Sequence, residues 1–166
     1  MSISSRLGSV IRKKSTTCGR IRTKMRVVAC PYFLPTEKSP EIYWPFPRRL
    51  PLGAGFCGSC TASGEPRIPS ETELREFCNL GYARGCSRLP AERRSDAVRF
   101  AVAKDGGDRI LVHYCCERDY APIEHGQLQY DCSTASWPVP HSDACIQRQA
   151  ECFVMTYLER RSINRT

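Results

Sequence analysis

Residues 27–69 hold 8 prolines and 4 glycines among 43 positions. Each proline lacks a backbone donor and pushes the residue before it toward extended conformations. Neither a long helix nor a central strand runs through such a stretch. It is nonetheless no polar low-complexity linker: Tyr32, Phe33, Leu34, Ile42, Tyr43, Trp44, Phe46, Leu50, Leu52 and Phe56 fall inside it. The stretch reads as an irregular coil packed on a body, with "WPFPRRLP" extended, and something other than regular secondary structure must hold it.

Cysteine supplies a candidate. Of the 11 cysteines, Cys30, Cys57, Cys60, Cys78 and Cys86 lie in or just after this irregular half. An odd number cannot all pair within one chain, and no secretory segment precedes the body. The default reading is therefore an intracellular protein, in which clustered cysteines more often serve metal or catalysis than disulfides. Cys57 and Cys60 form a C-x-x-C in "GFCGSC". A redox dithiol of that spacing follows a strand and opens a helix, and the flanks "PLGAG" and "TASGEPRIP" offer neither. As a metal knuckle, "CGSC" would turn around an ion, with Gly58 letting the backbone bend.

All-thiolate donor sets suit zinc or iron–sulfur centres. Zinc sites usually show two short knuckles, and here the second pair, in "CNLGYARGC", is wide. A cysteine followed by proline, as at Cys30-Pro31, occurs in ferredoxin runs. The expected cofactor is a [4Fe–4S] cluster, with zinc as the alternative. Its expected ligands are Cys30, Cys60, Cys78 and Cys86, with Cys57 competing within its pair. Arg48, Arg49, Arg84 and Arg88 are near in sequence and could offset the thiolate charge, although solvated surface is the usual place for arginine. Buried cysteines also pack simply as small hydrophobes. Cys116, Cys132, Cys145 and Cys152 read that way, with Cys145 and Cys152 on one helix face. Cys18 is incidental.

The net charge of +8 does not describe the body. Residues 1–26 carry eight Lys or Arg and no acid, and the remaining 17 basic residues balance 17 acidic ones. The arm reads as disordered; an organelle transit peptide, a polyanion-binding arm or a start at Met25 are its other readings. Nucleic acid is thus an unlikely partner for the body. Another protein is the expected partner, and no apolar run is long enough to span a bilayer.

The body, residues 27–166, reads as a single α+β domain. "PSETELREFCNLG" predicts a helix, with Ser70 and Glu73 as a capping box and Gly81 as a left-handed C-cap. Val98, Phe100 and Val102, then Ile110, Val112, Tyr114 and Cys116, alternate on either side of "KDGGD" and predict a β-hairpin. "HGQLQYDCS" is a third strand. A C-terminal helix begins at Ser142 or Asp143 and presents Ile146, Ala150, Phe153 and Tyr157 to the sheet. Nucleotide-loop, nucleophile-elbow and zinc-protease patterns are missing. The one acid–base candidate is His125, in a charged loop with Glu117, Asp119 and Glu124. The expectation is a small metal-binding protein working in electron transfer or as an accessory subunit. A zinc-braced interaction domain and a small enzyme using His125 are the rivals.

Overall fold

A computed structural model describes residues 27–40 and 44–163. The basic arm of residues 1–26 lies outside the described residues, as do Cys18, Ile42 and Tyr43. The architecture is α+β, with two antiparallel sheets and a C-terminal helix. β1 (Phe33–Lys38) pairs with β2 (Phe56–Cys60), and β3 (Ala97–Asp105), β4 (Arg109–Arg118) and β5 (Ala121–Asp131) form the second sheet in that order. The helix α2 (Ala144–Ile163) packs on β1 and β3. Among the described residues no helix is long and apolar enough to cross a membrane.

The predicted hairpin forms, Val98 facing Cys116 and Phe100 facing Tyr114. The third strand starts earlier than expected, at Ala121 rather than near His125. Asp119 and Tyr120 make the reversal, both with positive φ of 50° and 63°. Two successive left-handed residues match the twist of the flanking strands. Neither is glycine, so composition gave no sign of the turn, and "ERDYAPIEHG" is hairpin rather than loop.

Cap chemistry was legible. Asp143 accepts from the backbone N–H of Cys145 (2.8 Å) and Ile146 (3.1 Å) at the start of α2. The buried face of α2 is broader than the apolar stripe, for it includes Gln149 and Thr156. Gln149 is fully buried, and its amide donates to the carbonyls of Cys30 (2.8 Å) and Phe33 (2.6 Å). A polar helix residue thereby fastens the irregular half to the body.

At the far end of the sheet, Asp105 ties β3 to α2. It accepts from Gly107 N–H (2.9 Å), Tyr157 O–H (2.8 Å) and Arg161 (2.8 Å). The Gly107 hydrogen bond first, then Tyr157 and Arg161, lower its pKa from 3.8 to about 2. A depressed carboxylate pKa contributes stability that is present above the unfolded value and lost as pH falls through the folded one. Asp105→Asn is therefore expected to lower the thermal midpoint at pH 7, the gap from wild type closing as pH falls from about 4 toward 2. A gap of equal size at both ends of that range would count against this assignment.

Candidate functional site

The structure corrects the reading of "CGSC" as a turn. Residues 56–60 are the strand β2, paired with β1 from Phe33 opposite Cys60 to Lys38 opposite Phe56. Side chains three apart on a strand project to opposite faces. Cys60 is buried with Phe56, while Cys57 faces away and is half-buried. Gly58 has a different purpose from the one expected. A Cβ there would lie 2.2 Å from the Leu34 carbonyl oxygen and 2.9 Å from Pro35 Cα. Glycine lets β1, which carries a proline and an irregular register at Pro35/Glu37, press close to β2. Gly58→Ala should cost about 1–3 kcal/mol in urea unfolding through forced backbone displacement. An unchanged midpoint would show that the two strands can separate freely.

Cys78 ends the predicted helix. The capping box is present, Ser70 Oγ accepting from Glu73 N–H (3.3 Å) and Glu73 Oε2 accepting from Ser70 N–H (2.7 Å). After one α-turn (α1, Glu71–Glu73) the chain widens into a π-helical turn over Leu74–Cys78. Gly81 is not its left-handed cap. Positive φ falls instead on Tyr82, at 57°. Gly81 is small because its backbone abuts the core: a Cβ there would meet Ala97 Cβ at 2.7 Å and the Ala29 oxygen at 2.8 Å.

Asn79 fixes this turn in place. It is 3% exposed. Its side chain accepts from Phe56 N–H (2.9 Å) and donates to the carbonyls of Phe56 (3.0 Å) and Leu74 (3.0 Å). The amide thus extends the edge of β2 and brings the end of the π turn to the strand that carries Cys60. Gly81 N–H donates to Val28 (2.7 Å), and Thr61 N–H to Tyr32 (2.9 Å). These bonds join the segments around Cys78 and Cys60 to the two flanks of Cys30. Tyr82 holds the next segment by stacking on Tyr120, ring centroids 4.3 Å apart, and donating to Glu117 (2.8 Å). Cys86 follows between two turns, its N–H bonded to Ala83 and its carbonyl accepting from Leu89.

Three stretches distant in sequence, carrying Cys30, Cys60 and the Cys78–Cys86 pair, therefore come to one region. Burial pushes the Cys30 thiol up to about 12, and the charges of Cys60, Cys86 and Cys145 add to that. Cys78 is raised to about 12 by burial first and then by Cys30, Cys60 and Cys86. Cys30 and Cys78 thus each lie within electrostatic reach of Cys60 and Cys86. Such thiols are protonated at neutral pH, which disfavours an activated nucleophile. Among the described residues no three His, Cys, Asp or Glu side chains are close enough to hold one metal ion. A tetrahedral zinc needs its four sulfurs about 3.8 Å apart.

A fifth sulfur stands at the edge. Cys145 lies 3.4 Å from Thr61 Oγ1 and reaches Cys30 and Cys60 electrostatically. It is half-buried, whereas Cys152 on the same helix is fully buried as expected. Cys116 is buried and Cys115 half-buried, as alternation in β4 requires. Cys132 is only partly buried against the core.

Of the four arginines considered near these thiols, Arg49 stacks on Phe46 and Arg84 on Tyr120. Arg48 lines a separate cavity with Arg49. Arg88 remains beside the cysteines: it pairs with Glu73 at 2.9 Å, two residues after Cys86, and its Nη1 is buried without a hydrogen-bond partner.

His125 does not gather its acidic neighbours. It is exposed on β5 opposite Cys115. Glu117 is engaged by Tyr82 and Arg99, and Glu124 by Arg94 at 2.7 Å. The His–carboxylate approach that does form joins His141 to Glu124 at 3.7 Å. Only strand register, which the local sequence does not reveal, would have selected it. Fold and site together describe a small α+β protein in which Cys30, Cys60 and Cys78 are buried and Cys86 is half-buried. Compared with known proteins, the chain matches no family model, and neither a curated protein nor a solved structure is significantly similar to it.

Proposed function

We propose that this chain is a [4Fe–4S] protein, its cluster held by Cys30, Cys60, Cys78 and Cys86, and that it serves a partner protein as an electron carrier or accessory subunit. The observation that carries the reading is that Cys30 and Cys78, both buried, lie within electrostatic reach of each other and of Cys60 and Cys86. Two features support a metal–thiolate centre, and the wide Cys78–Cys86 spacing with Cys30-Pro31 favours a cluster over zinc. The donor set is all sulfur. Arg88 Nη1, a buried donor without an acceptor, would find one in the sulfur-rich, negatively charged centre.

The side-chain bonds of Asn79 and the backbone bonds of Gly81 and Thr61 set the frame independently of any metal. A centre there would brace the proline-rich half, and because the thiols must lose protons, its binding would strengthen as pH rises. Anaerobic purification of the natively expressed protein tests this. The expected result is a brown protein with about four iron and four acid-labile sulfide per chain. One zinc per chain without iron, or a stable metal-free protein, would refute the cluster.

A further inference from the structure

A cavity of about 520 Å³ lies away from the cysteines, and nothing above gives it a purpose. It is formed where "WPFPRRLP" folds against the last turns of α2. Pro47–Arg49 make one 3-10 turn, which departs from the extended reading of this segment and directs Arg48 and Arg49 to the cavity with Phe46. Arg160 of α2 enters from the other wall.

The charge balance is one-sided. The one carboxylate among the described lining residues is Glu159, and it is paired with Lys38. That leaves three guanidiniums facing a single cavity. Their like charge costs free energy unless an anion balances it. Arg49 is stacked on Phe46, 4.9 Å from the ring centroid, and that ring is 63% exposed. Large exposed aromatic rings beside arginine are the surfaces on which planar bases stack.

Both walls are seated on glycine. The Trp44 indole lies across Gly55, where a Cβ would fall 1.9 Å from Nε1, and the Arg160 guanidinium lies across Gly53, where a Cβ would fall 2.8 Å from Nη2. Trp44 Nε1 is a buried donor with no partner. An aromatic and cationic cavity of this volume falls in the size range of small-ligand sites.

We infer that this cavity binds a phosphorylated small molecule bearing a planar ring, of the nucleoside monophosphate class, with Arg48 and Arg160 on the phosphate and Phe46 against the ring. A phosphate dianion balances more of the charge than a single carboxylate does, and guanidinium forks match its geometry. The site is independent of the cysteine centre.

Isothermal titration of the full chain with AMP, adenosine and inorganic phosphate separates the parts of this inference. AMP is expected to bind one to one, and adenosine and phosphate alone each more weakly by about tenfold or more. Arg48→Ala and Arg160→Ala should each weaken AMP by about tenfold. Phe46→Ala should weaken AMP and leave phosphate unchanged. Circular dichroism would check that each variant keeps the wild-type fold. The inference is overturned by no AMP binding at about 1 mM, by AMP binding indifferent to both arginine variants, or by phosphate binding as tightly as AMP. An oligonucleotide binding far more tightly than AMP would overturn it too, by assigning the cavity to a macromolecule.

Discussion

Cys60→Ser is expected to strip most of the iron and sulfide from anaerobically purified protein, while Cys57→Ser retains both. The two residues belong to one C-x-x-C, and a knuckle would use both. β2 separates them, because its alternation sends Cys60 inward with Phe56 and Cys57 to the other face. Cys30→Ser, Cys78→Ser and Cys86→Ser should behave like Cys60→Ser, since each removes one of the four proposed ligands. Cys145→Ser is the informative control. That sulfur reaches Cys30 and Cys60 but hydrogen-bonds to Thr61, and its loss should leave metal content intact. Iron per chain, read across the six variants, checks the ligand set. Loss in Cys57→Ser, or loss in Cys145→Ser together with retention in Cys86→Ser, would reassign it.

The second large effect is structural. Asn79→Ala should destabilise the protein by about 3 kcal/mol, measured by urea unfolding. The substitution leaves the Phe56 N–H and carbonyl without the amide that pairs them, and the Leu74 carbonyl with only the Asn79 backbone N–H. Buried backbone groups left unpaired cost about 1–3 kcal/mol each, and partial access of water to the loosened edge reduces the sum. The same amide holds the residue after Cys78 against β2, so iron loading should fall as well. Leu80→Ala, at a neighbouring exposed position, should stay within about 0.5 kcal/mol of wild type. Equal behaviour of the two variants would mean that Asn79 anchors nothing.

What could be read in the sequence was local. Ser70–Glu73, the alternation across "KDGGD" and the cap at Asp143 each depend on neighbours a few residues apart, and all three formed as expected. Cys30, Cys57, Cys60, Cys78 and Cys86 stand out because they lie in or just after the proline- and glycine-rich stretch. The misreadings were non-local. β1 contains Pro35 and carries no strand alternation, so "FLPTEK" and "FCGSC" could not be seen to pair. The π turn that ends at Cys78 depends on the Asn79 side chain bonding across 23 residues, and helical periodicity carries no trace of that. Cys145 reaches the other sulfurs only because α2 docks on the irregular half through Gln149. His125 was favoured by charged residues close in sequence, whereas register aligns Glu124 with the connector that carries His141.

Diffraction from anaerobically grown crystals, with anomalous data collected at the iron edge, tests the central claim most directly. The account predicts one compact iron peak bounded by the sulfurs of Cys30, Cys60, Cys78 and Cys86, with Cys57 on the far side of β2. Iron elsewhere in the molecule, a single zinc among these cysteines, or four free thiols packed against one another would contradict it.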